Sequence, residues 1–134
     1  MSEENTTNLL YGYVIYLILL LMFTGMMFYF IRSEMNGASV WSDYYAKEIA
    51  RQINLAEPNQ KITINIQKAT EIAKNNRITD FNSTFYFIND ENKICVKISD
   101  GKTCYFYFNN VNIEDKEVEL GVPENILVFK VVKK

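Results

Sequence analysis

Leu9–Ile31, LLYGYVIYLILLLMFTGMMFYFI, decides how the rest of the chain is read. It contains no charged residue. At the helical rise it spans about 34 Å, enough to cross a hydrocarbon core of about 30 Å with some tilt. Aromatic residues gather at both ends, Tyr11, Tyr13 and Tyr16 at the start and Phe28, Tyr29 and Phe30 at the finish. That distribution fits an aromatic belt at each lipid–water boundary. A chain of 134 residues has no core thick enough to surround such a helix on every side. The reading is therefore a single-pass transmembrane helix over 9–32, preceded by a polar tail over 1–8. The tail is acidic, with Glu3 and Glu4 and no Lys or Arg. A cleaved secretory signal would carry a basic start and a shorter apolar run, so an uncleaved signal-anchor is expected.

About 100 residues remain beyond the span, room for one small domain. The formal net charge is −2 and no basic stripe appears, which argues against a nucleic-acid partner. The chain has no His, which removes Ser-His-Asp and Cys-His catalysis and His-ligated metal sites. Phosphate-binding loops and nucleophile elbows are also missing. The expectation is a protein that is not an enzyme, with no catalytic, cofactor-binding or metal-binding residues. The run Glu114-Asp115-Lys116-Glu117 with Glu119 matches no calcium loop and reads as a solvated loop.

Residues 33–60 read as a junction and an amphipathic helix. Over Val40–Ala56, Trp41, Tyr45, Ile49 and Ile53 recur every fourth residue, with Asp43, Lys47, Glu48 and Arg51 on other sides. Gly37 ends or bends the preceding helix, and Ser39 or Ser42 is the candidate cap. The apolar stripe is expected to pack on the following sheet. Its first aromatic residues, Trp41, Tyr44 and Tyr45, stand close enough to the span to meet lipid headgroups as well, and Trp41 is counted with the membrane-interface residues.

Residues 61–134 read as a small antiparallel sheet of four to five strands with one short extra helix. Strands are expected at Lys61–Ile66, Ser83–Ile88, Lys93–Ile98, Lys102–Phe108 and Asn125–Val132, a helix over Gln67–Asn76, and a polar connection over Asn109–Leu120. The closing Lys133-Lys134 would discourage edge pairing of the last strand. The fold class is α+β, helices segregated on one face of a meander-like sheet. Phe85, Tyr86, Phe87, Tyr105, Phe106, Tyr107 and Phe108 put aromatic residues on both sheet faces. An uncovered face would be a protein-binding surface; coverage of both, by the amphipathic helix and by the short helix or final loop, is the expectation.

Cys95 and Cys104 are the only cysteines, one on each arm of the hairpin around Ser99-Asp100-Gly101. A four-residue loop sets them directly opposite each other and favours a cross-strand disulfide. A tighter Asp100-Gly101 turn offsets them by one pair. A paired Cys95–Cys104 beside a membrane anchor points to an oxidising, extracytoplasmic side. The positive-inside count points the other way, through Arg32 alone near the boundary. The sequons at Asn5 and Asn82 add little, because such triplets arise by chance in an Asn-rich chain.

An apolar helix, an amphipathic continuation and a small antiparallel sheet with a disulfide-capable hairpin, in that order, resemble the layout of type IV pilins and pseudopilins. The family's basic leader and the Glu early in its mature helix have no counterpart here. The resemblance implies a membrane-anchored surface protein that assembles. Its partners would be membrane lipid and other membrane or envelope proteins, itself included. The alternative is a membrane-tethered ligand-binding domain or accessory subunit of a membrane complex.

Overall fold

A computed structural model describes residues 2–34 and 36–134, with side chains described for 9–31 and 36–134. The chain divides into two compact units, 1–36 and 37–134.

The first unit is one α-helix, α1 (Ser2–Glu34). It runs through residues 2–8, which the sequence reads as a separate tail. Its 23-residue segment Leu9–Ile31 is long and apolar enough to cross a membrane. Thr24 donates its hydroxyl proton to the Leu20 carbonyl at 2.7 Å, which satisfies a polar group that lipid could not.

The second unit begins at Gly37, whose φ of 65° is a left-handed conformation that glycine adopts without a Cβ penalty. A Cβ there would lie 3.3 Å from Trp41 Cδ1. Gly37 caps α2 (Ala38–Leu55), so neither Ser39 nor Ser42 is the cap. Both lie inside the helix, and Ser42 is buried. Tyr45, Ala46, Ile49, Ala50 and Ile53 form the buried face of α2. They pack toward α3 (Gln67–Asn75) and the strands β3 (Lys93–Val96) and β4 (Thr103–Phe106).

The strands form two antiparallel sheets of three, not one sheet of four or five. β1 (Lys61–Asn65), β6 (Ile126–Lys133) and β5 (Val111–Glu119) pair in the order β1–β6–β5. β2 (Phe85–Ile88) joins the hairpin in the order β2–β3–β4. The stretch expected as a polar connection contains β5, a nine-residue strand. The register shifts between Glu114 and Glu117, where Asp115 takes a φ of 52°. Bulge and charge together blunt an edge strand. β6 is the central strand of its sheet, so Lys133-Lys134 does not guard an edge. Lys134 instead donates to the Asn89 carbonyl and to Asn92 Oδ1, each at 3.1 Å.

The core lies between the inner faces of the two sheets, α2 and α3. Phe85 stands edge-on to Tyr45, ring centroids 6.2 Å apart. Phe87 of one sheet meets Phe129 of the other at 5.0 Å. Asparagines fix the loops around this core. Asn54 Oδ1 accepts from the Phe108 and Asn109 amides at 2.7 and 3.2 Å. In return, Asn109 Nδ2 donates to the Ile53 and Ala56 carbonyls at 2.8 and 3.0 Å, closing the end of α2. Asn89 accepts from the Ile113 amide and donates to the Ile113 carbonyl. Each such bond satisfies a backbone group that has no ladder partner at that point.

Candidate contact surface

Pairing in the β3–β4 hairpin puts Cys95 directly opposite Cys104, the register that the wider loop predicts. Their sulfurs lie 2.03 Å apart, at disulfide-bonding distance, and their Cα atoms 4.1 Å apart. That spacing belongs to the closer, non-hydrogen-bonded kind of cross-strand pair, in which side chains approach most nearly.

Alternation along the strands then sorts the second sheet into two faces. The inner face carries Phe85, Val96 and Thr103 in one row and Phe87, Ile94 and Tyr105 in the next. Phe85, Val96 and Ile94 are fully buried, and Phe87 and Tyr105 pack against the core. The outer face carries Tyr86, Cys95 and Cys104 in one row, then Ile88, Lys93 and Phe106. None of Tyr86, Ile88 or Phe106 belongs to the core cluster or packs against it. Phe106 is 56% exposed, and Phe108, next but one in the chain, is 89% exposed. The expected coverage of both faces holds only in part: on the outer face Cys95 is fully buried and Tyr86, Ile88 and Cys104 are half-buried, but Phe106 is open. α2 covers the inner face only, and the last strand is engaged in the other sheet. Lys93 is the one charge within the outer rows. Its ammonium pairs with Glu91 and lies 4.7 Å from the centre of the Phe106 ring, a cation–π arrangement.

The outer face of the first sheet is built differently. Its central-strand residues Ile126, Val128 and Lys130 are flanked by Asn65 and Glu119, by Thr63 and Glu117, and by Lys61 and Glu114 respectively. Ile126 and Val128 each have a polar neighbour on both sides, the pattern of a sheet face whose rim meets water, although Val128 itself is buried beneath those neighbours.

No protein-family model, curated protein or solved structure matches this chain. The reading of its surfaces therefore rests on its own residues.

A second feature lies beside α2. Trp41, Tyr44 and Tyr45 form a ring cluster with centroid separations of 5.3 to 5.9 Å. With Glu48, Lys68 and Glu71 they line a cleft of about 320 Å³. Burial pushes the Tyr45 phenol above its usual pKa. Hydrogen bonds from Arg51 and then Gln52 hold the Glu48 carboxyl below the usual range. Trp41, expected at the membrane interface, is half-buried against the core, whereas Tyr44 is exposed. The aromatic residues Tyr11, Tyr13, Tyr16, Phe28, Tyr29 and Phe30 are all exposed on α1.

The acidic run Glu114–Glu119 lies on β5 rather than in a loop. Among the described residues no three His, Cys, Asp or Glu side chains group as metal ligands. Lys116, at the bulge, reaches the carbonyls of Asn82 and Phe85 at 2.6 and 2.9 Å, which joins the edge of the first sheet to the entry of β2. Burial lowers its pKa below the lysine norm. Asn82, half of a sequon, is itself engaged, accepting from the Val118 amide at 3.2 Å. Phe108, which the sequence places in the hairpin strand, lies beyond the end of β4. The alternation Cys104, Phe106, Phe108 was the available signal.

Proposed function

We propose that this chain is a non-enzymatic, single-pass membrane protein that presents its α+β domain on the extracytoplasmic side as a subunit of a cell-envelope assembly, pilin-like in layout. The observation that carries this reading is the outer face of the β2–β3–β4 sheet. It keeps Tyr86, Ile88 and Phe106 around the Cys95–Cys104 pair and outside the core, while the other sheet dresses its outer face in charge. Phe106 and Phe108 stand exposed at the edge of the β2–β3–β4 face, with Tyr86 and Ile88 half-buried beside them, and apolar surface left in the open in this way marks contact sites. The cysteine pairing favours an oxidising compartment, and Leu9–Ile31 supplies the anchor.

Photo-cross-linking in intact cells tests the reading, with the cross-linker placed at position 106 or, as control, at position 130. Adducts from 106 and none from 130 are expected. Monomer alone at both positions would sink it. Thiol labelling in intact cells with an impermeant maleimide tests the compartment: Cys95 and Cys104 should label only after reduction.

A tethered ligand-binding domain is the second reading, favoured by the Trp41–Tyr44–Glu71 cleft. A reproducible thermal shift of the full chain with a small-molecule panel would promote it.

A further inference from the structure

The face of α2 opposite its buried stripe is not a plain solvated face. Val40, Tyr44, Lys47, Arg51 and Leu55 follow one another at spacings of three and four, so they form one line along the helix. Val40, Tyr44 and Leu55 on that line are 70%, 51% and 69% exposed. The cations between them carry their own carboxylates, Lys47 with Asp43 at 2.6 Å and Arg51 with Glu48 at 2.7 Å.

We infer that this line is a lipid-docking stripe, by which α2 lies against the headgroup layer of the membrane that anchors the chain. The inference rests on the reading of Leu9–Ile31 as a membrane span. Three features on the helix favour lipid over protein. The first is reach: Val40 follows Ile31 by nine residues, which span about 30 Å at most even when fully extended. The tether thus holds the Val40 end of the stripe within that reach of the end of the span. The second is charge. A packed helix partner would have to bury two ion pairs at the centre of the contact, and the desolvation of such pairs commonly cancels their attraction. A zwitterionic headgroup layer presents alternating phosphate and ammonium groups to the same pairs and keeps them wet. The third is residue type. Tyr44, with the half-buried Trp41 beside it, has the apolar body and polar tip that suit the interface, and Lys47 and Arg51 can extend their heads toward water.

The helix gives the inference a sharp geometric test, because Leu55 lies about 22 Å along the axis from Val40. A helix that meets the membrane only at its first turn keeps Leu55 far from lipid. A helix docked along the stripe brings both ends to it. Trp41 is the only tryptophan, so its emission reports one place without labelling. The full chain is reconstituted in phosphatidylcholine vesicles, with or without lipid brominated high on the acyl chain, and compared with a Trp41→Phe/Leu55→Trp variant. Loss of emission to brominated lipid at both positions is the expected result. Loss at position 41 with none at position 55 overturns the inference, as does loss at neither.

Should Trp41→Phe prevent folding, Val40→Glu with Leu55→Glu in the native background serves instead, since both positions are exposed. Weaker quenching of Trp41 with an unchanged melt is expected, and unchanged quenching overturns the proposal. An alkaline wash separates the two levels. A chain stripped from the vesicles overturns the span and the docking together. A chain retained without quenching at position 55 overturns the docking alone.

Discussion

The two three-stranded sheets of the domain obey the same rules on their inner faces and opposite rules on their outer ones. Both are antiparallel and both give one face to a shared core through Phe85, Phe87, Leu127 and Phe129. Outside, the β1–β6–β5 sheet sets Glu119 beside Ile126, Glu117 beside Val128, and Lys61 and Glu114 beside Lys130. The β2–β3–β4 sheet sets Tyr86, Ile88 and Phe106 around a disulfide-bonded pair and admits one lysine, laid over a ring. Strand geometry and core packing cannot account for that difference, since both sheets share them. It is a difference in what each face is built to meet.

Four comparisons probe the contrast, the largest effect first. Phe85→Ala removes a fully buried ring from the inner face of the second sheet and should cost about 3–5 kcal/mol in urea melts. Tyr86→Ala, its outer-face neighbour, should cost under about 1 kcal/mol. Equal costs would mean that the outer face is a second core and would abolish the contrast. Cys95→Ser with Cys104→Ser opens a cross-link between residues nine apart, and loop-closure entropy puts the loss near 2–3 kcal/mol. A melt unchanged by reducing agent would show that the pair contributes nothing to the sheet. Ile88→Asp should leave the melt within about 1 kcal/mol yet abolish cross-linking from position 106 in cells. Thr63→Asp, at an exposed position on the other sheet's outer face, should leave both the melt and the cross-linking unchanged.

The smallest effect is a titration. Burial lowers the pKa of Lys116, so between its folded and unfolded values the unfolded chain holds more protons. Stability therefore rises with pH through that window, below the ordinary lysine pKa. Lys116→Met should flatten that rise, read as the difference between the two chains' melts across alkaline pH. A difference that does not change with pH would remove Lys116 as its source.

Local signals were legible in the sequence, and long-range ones were not. Apolar content and length alone reveal Leu9–Ile31. The four-residue period over Val40–Ala56 finds α2 to within two residues at its start, and Ser99-Asp100-Gly101 marks the hairpin while leaving two registers open, of which the structure has the one that opposes Cys95 to Cys104. β5 escaped because its outer residues are charged and its bulge at Asp115 interrupts the alternation that a strand would show. The split into two sheets escaped because β1 pairs with β6, from opposite ends of the domain, and nothing local to either strand names its partner. The aromatic outer face was half legible. Aromatic residues on both faces were evident, but which face α2 would cover depends on that same pairing. The clamp between Asn54 and Asn109 could not be seen in a composition rich in asparagine.

The strand order β1–β6–β5 also fixes a schedule for the growing chain. β2, β3 and β4 are neighbours in sequence as well as in space, so their sheet can close as soon as Phe106 has been made. β1 is made before all of them and pairs only with β6, the last strand made. While the roughly 60 residues between them are made it has no strand partner, with Ile62 and Ile64 uncovered. Non-local pairing of that kind is slow to form, and exposed strands are where unfinished chains associate wrongly. The face that stays apolar in the finished protein thus belongs to the sheet completed early, and the sheet with the well-charged exterior is the one that a nascent chain must leave open.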